Sequence, residues 1–160
     1  MKGTGQKPAS RRTGAQPDDD PCFALYEASR ALAGYYRPYL AELGLTYPQY
    51  LVMLIVWRHG PVSVKELGAA LSLDSGTLSP LLKRLIEAGL VDKQRADRDA
   101  RTVDVTSTEK GMTLRDRADA IAHEARDSLH YTAAERAALV RSLEDLAERL
   151  RRVDQPQNGV

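Results

Sequence analysis

The chain has 160 residues and a formal net charge of +1. That is long enough for one domain with arms and a sizeable core, with no bulk charge to draw it to nucleic acid or membrane. Any basic binding face must be local and balanced by acid elsewhere. A single cysteine excludes an intrachain disulfide framework and points to a reducing compartment. The N-terminus has no apolar leader, and the longest apolar run, YLVMLIVW at 50–57, is too short to span a bilayer. A cytoplasmic location is expected.

Residues 1–17 are Gly, Pro, Ser and basic residues with almost nothing to bury, and are expected to be a disordered tail. Order is expected from 18 onward, where DDDPC offers an Asp N-cap followed by proline in the first turn. The first helix then runs to about Leu43, with a bend expected near Pro38. TYPQ at 46–49 reads as a capping box that opens a second, apolar helix ending at HGP. A second box, Ser63 to Glu66, opens a short third helix. After a turn at SLD, a fourth helix spans about Ser75 to Ala88 and closes at Gly89; Pro80 requires a late start or a bend. LVDKQRADRDARTVDVTST, with β-branched runs around a charged tip, reads as a hairpin. A fifth helix starts near 106–109 and carries Leu114, Ala118, Ile121 and Ala125. A box from Thr132 to Glu135 opens a sixth, whose Leu139, Leu143, Leu146 and Leu150 form a heptad-like seam. Residues 153–160 are read as a tail.

A short helix, a turn, a longer helix and a two-stranded hairpin is the order of a winged helix–turn–helix. The fourth helix starts with small hydroxyl residues, Ser75, Thr77 and Ser79 after Asp74, which allow close approach to phosphates or base edges. Lys83 and Arg84 follow on it. The hairpin carries Arg95, Arg98 and Arg101, with Asp99 placed to orient an arginine, where a wing reaches a minor groove. A solvated hairpin on a helical domain that binds no DNA is the plainer reading.

LDSGTLSPLLKRLIEAGLV followed by DRDAR resembles the MarR family of dimeric winged-helix transcription regulators. Within it, CFALY, the tyrosine pair and LTYPQYLVML resemble the organic hydroperoxide sensors of the OhrR type. The likeness runs from about Pro21 to the end of the sixth helix. It implies a mainly α fold with a small β-hairpin wing: one domain over 18–152, with dimerisation helices at 18–45 and 107–152 around a DNA-binding region at 46–106. It also implies a homodimer on an inverted-repeat operator in double-stranded DNA.

The lone Cys22 can be read as a small core residue, the usual fate of a free cysteine. Three features point elsewhere. It falls in the first turn of a helix, where the dipole favours a thiolate, although Asp18, Asp19 and Asp20 oppose this. Tyr26, four residues on, shares its face, and a phenol can donate to a thiolate. Tyr36 also faces that side but lies about 21 Å along the helix at ~1.5 Å per residue, so only an antiparallel second copy would bring it to Cys22. Tyr47 could reach the same place. The resemblance implies this shared site, with Cys22 held by Tyr36 and Tyr47 of the other subunit. It also implies an organic hydroperoxide as inducer. Lacking a second cysteine, the chain looks like the one-cysteine type, whose oxidised thiol meets a small thiol to form a mixed disulfide or is oxidised further.

Two other functions compete. A thiol peroxidase would need an activating cation and normally an α/β scaffold, so the chain is not read as an enzyme. A repressor of the same family released by a small phenolic or aromatic ligand, its pocket lined by the tyrosines, is the nearer alternative. No cofactor is expected. No metal site is expected either, because His59, His123 and His130 are far apart and HEARD lacks a second histidine.

Overall fold

A computed structural model of the chain describes residues 21–96 and 99–153. The expected tails, Asp18–Asp20 and Arg98 lie wholly or almost wholly outside those residues. The chain divides between Tyr47 and Pro48 into two compact units.

The first unit contains α1 (Pro21–Glu42). Proline opens it, where a missing N–H costs nothing. A Schellman motif ends it: Leu45 N–H donates to Leu40 O at 3.0 Å and Gly44 N–H to Ala41 O at 3.1 Å. Gly44 takes φ +66°, a conformation that a Cβ would penalise. The helix runs on through Pro38. The carbonyl that a proline ring crowds belongs to the residue four before it, here Gly34, and a Cβ built on Gly34 meets no heavy atom within 4 Å. The backbone has room to adjust there.

The second unit takes α2 (Tyr47–His59) from Pro48 onward, then β1 (Val62–Ser63), α3 (Val64–Leu71), α4 (Ser75–Glu87), β2 (Val91–Ala96), β3 (Asp99–Ser107), α5 (Glu109–Thr113), α6 (Arg115–Ser128) and α7 (Ala133–Val153). The capping box at α3 forms as the sequence requires: Glu66 N–H donates to Ser63 Oγ, while Ser63 N–H donates to the Glu66 carboxylate. The box at α7 closes in the same way between Thr132 and Glu135. Between α3 and α4, Ser72 takes φ +53°, and Leu73 N–H reaches back to Gly68 O at 2.9 Å. A serine thus does what glycine usually does at a helix end.

Four features depart from the expectation or go beyond it. Pro80 lies inside α4, which starts early and accommodates it; the crowded carbonyl again belongs to a glycine, Gly76. The hairpin β2–β3 gains a third strand, because β1 pairs antiparallel with β3 through Val62 opposite Val105. Two residues carry too little pattern for period-two alternation to reveal them. The expected fifth helix is two, broken at Leu114, whose N–H donates to Gly111 O at 3.3 Å. Thr113 Oγ1 donates to Lys110 O at 2.7 Å, the local side-chain bond that competes with helix continuation. Finally, α7 includes Val153, which the sequence reading gave to the tail.

The core of this unit is made by Val52, Met53 and Val56 of α2, Leu67 of α3, Leu78, Leu82 and Leu85 of α4, Val91 and Val105 of the sheet, and Ala118 and Ile121 of α6. Each large one contributes about 1.5–3 kcal/mol by leaving water. Trp57 Nε1 donates to Gly111 O at 3.0 Å. A Cβ on Gly111 would stand 2.1 Å from Leu90 O, so only glycine lets α5 pass so near the root of the hairpin. None of the described residues of α7 is buried.

Candidate functional site

The N-terminus of α4 is fixed by Asp74. Its carboxylate accepts from Thr77 N–H at 2.7 Å. That bond, with others from Thr77 and Gly76, holds the carboxyl below the ordinary aspartate range. Its structural role is therefore to cap the helix and hold its first turn rigid. Ser75, Thr77 and Ser79 are exposed on the same turns, and Lys83 and Arg84 are exposed farther along. Lys83 stands 3.8 Å from Glu87, a pairing weak enough in water to yield to a stronger anion.

On the hairpin, Arg95 is exposed and lies opposite Val103, with a register shift between Arg95 and Ala96. Asp99 and Arg101 belong to β3 by their backbone; Arg98 lies outside the described residues. One short helix, one left-handed turn and one capped helix thus present hydroxyl and basic side chains beside a bulged basic hairpin.

The thiol is arranged differently. Cys22 is exposed in the first turn of α1. One turn on, Tyr26 is 65 % exposed, and the Arg30 guanidinium lies 6.0 Å from its ring centroid, within cation–π range. Phe23, Leu25 and Leu32 are exposed too, so the N-terminal half of α1 offers an apolar face around the thiol. Tyr35, Tyr36, Tyr39 and Tyr47 collect at the far end of the helix. Tyr36 and Tyr47 rings are 5.3 Å apart, and Tyr35 stands edge-on to Tyr36 at 5.7 Å and beside Tyr39 at 5.5 Å. Burial, then the neighbouring Tyr36, raises the Tyr47 phenol above its usual pKa of 10.0. It therefore stays protonated and able to donate. The structure brings Tyr36 and Tyr47 together and keeps Tyr26 with Cys22. It does not bring the two groups together within one chain: fourteen residues of helix set them about 21 Å apart at ~1.5 Å per residue.

Sequence reasoning missed the Arg30–Tyr26 and Tyr35–Tyr39 contacts, although both are four-residue spacings on a helix. It also missed a cavity of about 450 Å³ in the second unit, lined by Leu54, Trp57, Arg58, Arg115, Asp119 and Arg126, among others. Those residues come from helices separated by more than fifty positions, and no periodicity announces them.

Residues 34–118 match the family described as "Transcriptional regulator SarA/Rot". The HTH-type transcriptional regulator TtmR of Methylorubrum extorquens (strain PA1) is 44% identical over 133 residues, covering 83% of this chain and 68% of the relative. The organic hydroperoxide resistance transcriptional regulator of Bacillus subtilis (strain 168) is 45% identical over 97 residues, 61% of this chain and 66% of the relative. The chain thus spans about two thirds of the length of each. Among solved structures, reduced AbfR bound to DNA superposes with TM-score 0.69 at 30% identity, covering 84% of this chain and 92% of that one. Overoxidized AbfR bound to DNA gives TM-score 0.67 at 32% identity, covering 81% and 90%. With the helix–turn–helix, the bulged hairpin and the N-terminal thiol helix in place, the chain belongs to the SarA/MarR-type family of winged-helix, DNA-binding transcriptional regulators.

Proposed function

We propose that this regulator is a dimeric repressor that senses organic hydroperoxides through Cys22 and then releases its operator, derepressing a peroxide-detoxification gene. The observation that carries the reading is the divided site on α1. An exposed thiol with Tyr26 sits at one end, and a packed Tyr36–Tyr47 pair sits at the other. An antiparallel second copy would complete both halves at once. The exposed apolar residues of α1 and α7, among them Phe23, Leu139, Leu143 and Leu150, support helices at 18–45 and 107–152 as the dimer surface, since exposed apolar faces of this extent mark association sites.

The chemistry follows from the parts. The Cys22 thiolate, steadied by helix N–H groups and phenol donors, attacks the distal peroxide oxygen. The O–O bond breaks, an alcohol leaves with a proton, and Cys22 becomes a sulfenic acid. The apolar surroundings favour alkyl hydroperoxides over hydrogen peroxide. A small cellular thiol then displaces water to give a mixed disulfide. A bridge between the two Cys22 residues is opposed by the same antiparallel geometry, because a disulfide needs Cα atoms about 4.4–6.8 Å apart. AbfR has been solved on DNA both reduced and overoxidized, which supports giving the releasing role to the bulky adduct rather than to the oxyacid. Reduction of the adduct restores binding.

On DNA, each subunit is proposed to set α4 in a major groove of an inverted repeat. Ser75, Thr77, Ser79, Lys83 and Arg84 would face the groove while Asp74 holds the helix end, and Arg95, Arg98 and Arg101, steered by Asp99, would take the minor groove. Release by a phenolic ligand is the weaker reading, since the cavity between α2 and α6 is lined by Trp57 and arginines, among others, and not by the tyrosines. The test is DNA binding with and without an organic hydroperoxide plus a small thiol. Wild-type protein should lose DNA and recover it with reductant, and Cys22→Ser should bind and ignore the oxidant. A Cys22→Ser protein that still releases DNA refutes thiol sensing.

A further inference from the structure

Between the first turn of α3 and the middle of the wing lies a second cleft, of about 450 Å³, lined by Ser63, Val64, Lys65, Lys93, Thr102 and Val103. Lys65 comes from α3 and Lys93 from β2, opposite Val105, and both are exposed. Two separate elements thus deliver a cation to one groove. The nearest carboxylates in sequence are occupied or turned away. Glu66 is held by Ser63 Oγ and N–H in the capping box, Asp104 is buried, and Asp92 points to the opposite face of the hairpin from Lys93 because side chains alternate along a strand. Some helical bases pair within the chain, as Lys83 does with Glu87, Arg115 with Asp119 and Arg149 with Asp145. Among the described residues Lys65 and Lys93 have no such carboxylate.

We infer that this cleft is a seat for a DNA phosphodiester, with Lys65 and Lys93 as a two-sided clamp on the backbone. The inference rests on the family's DNA binding and on α4 and the wing both engaging the duplex. A helix in a major groove and a wing over the adjacent minor groove must straddle the phosphate ridge that separates them. The cleft between helix–turn–helix and wing is where that ridge has to lie. The first helix of a helix–turn–helix crosses the backbone in just this way. A lysine is suited to the task because phosphate contacts fix register without reading sequence. The clamp would set how deeply α4 enters its groove.

The test is a salt titration of binding to a mixed-sequence duplex of about 30 base pairs, long enough for two half-sites. Each neutralised phosphate contributes about 0.9 to the slope of log K against log salt. With one clamped phosphate per subunit, the double variant Lys65→Gln/Lys93→Gln should therefore lower the slope by about 1.8 per dimer, each single variant should lower it by part of that, and all should weaken binding to any sequence alike, while Lys65→Arg should keep the wild-type slope. Lys110→Gln, whose ammonium donates instead to Ala88 O, should leave the slope unchanged. Unaltered slopes in both cleft variants, with Arg95→Ala still lowering it, would overturn the clamp and leave the DNA-binding reading intact. Failure of the wild-type protein to bind any duplex would overturn both.

Discussion

Trp57, Leu67 and Gly111 lie in a core where neighbouring backbone and side chains fix each atom, whereas Phe23, Tyr26 and Leu143 lie on helices whose apolar faces meet solvent in the single chain. Both sets are built from the same helical periodicity. The difference teaches how the molecule divides its work. On the proposed function the part that reads DNA must be rigid, because half-site spacing is a matter of ångströms, and α3 and α4 are capped and packed into the core. The thiol helix keeps an exposed apolar face, and on the proposed function that face is what a second copy covers and an oxidant changes.

The sharpest way to break this comparison is to overfill the rigid side. Gly111→Ala places a methyl 2.1 Å from Leu90 O, and backbone cannot step aside as a side chain can. A loss of about 3 kcal/mol is expected in urea unfolding, with an unchanged denaturant slope. A neutral result would mean that α5 is held less tightly than its contacts imply. Trp57→Phe is the gentler version. It leaves Gly111 O without its buried indole donor and should cost about 1–3 kcal/mol, measured in the same way.

On the exposed side, Leu143→Ala should behave in the opposite sense. In a lone chain this 43% exposed residue would matter by less than about 0.5 kcal/mol. If α7 is dimer surface, the dissociation constant should rise at least about tenfold, from the ~1.5 kcal/mol or more that a buried leucine contributes. Sedimentation across a dilution series separates the two outcomes. The smallest effect belongs to Tyr47. Because its folded pKa is raised above 10.0, the stability linked to it is complete below about pH 10 and is lost as pH climbs through the higher folded value. Tyr47→Phe should flatten the alkaline limb of the stability profile and leave neutral pH almost untouched. An unchanged limb would remove the argument that its phenol is held protonated.

Much of this was legible in residue order. Ser63–Glu66, Thr132–Glu135 and Gly89 announced helix ends because caps are local: each donor and acceptor lies within four residues of its partner. The leucine stripe of α4 and the hairpin around a charged tip were equally plain, since periods of 3.6 and 2 are properties of a single element. The likeness of CFALY and LTYPQYLVML to hydroperoxide sensors is a resemblance carried by those short segments. What only the tertiary structure decided were the long-range pairings. β1 is a strand solely because β3 lies beside it. Gly111 is irreplaceable only because Leu90, twenty-one positions earlier, crosses above it. The cleft that joins Lys65 to Lys93 exists only once the sheet has brought α3 to the wing. Local chemistry writes itself into neighbouring residues; a contact across tens of residues depends on how the whole chain closes, and no short window of sequence contains it.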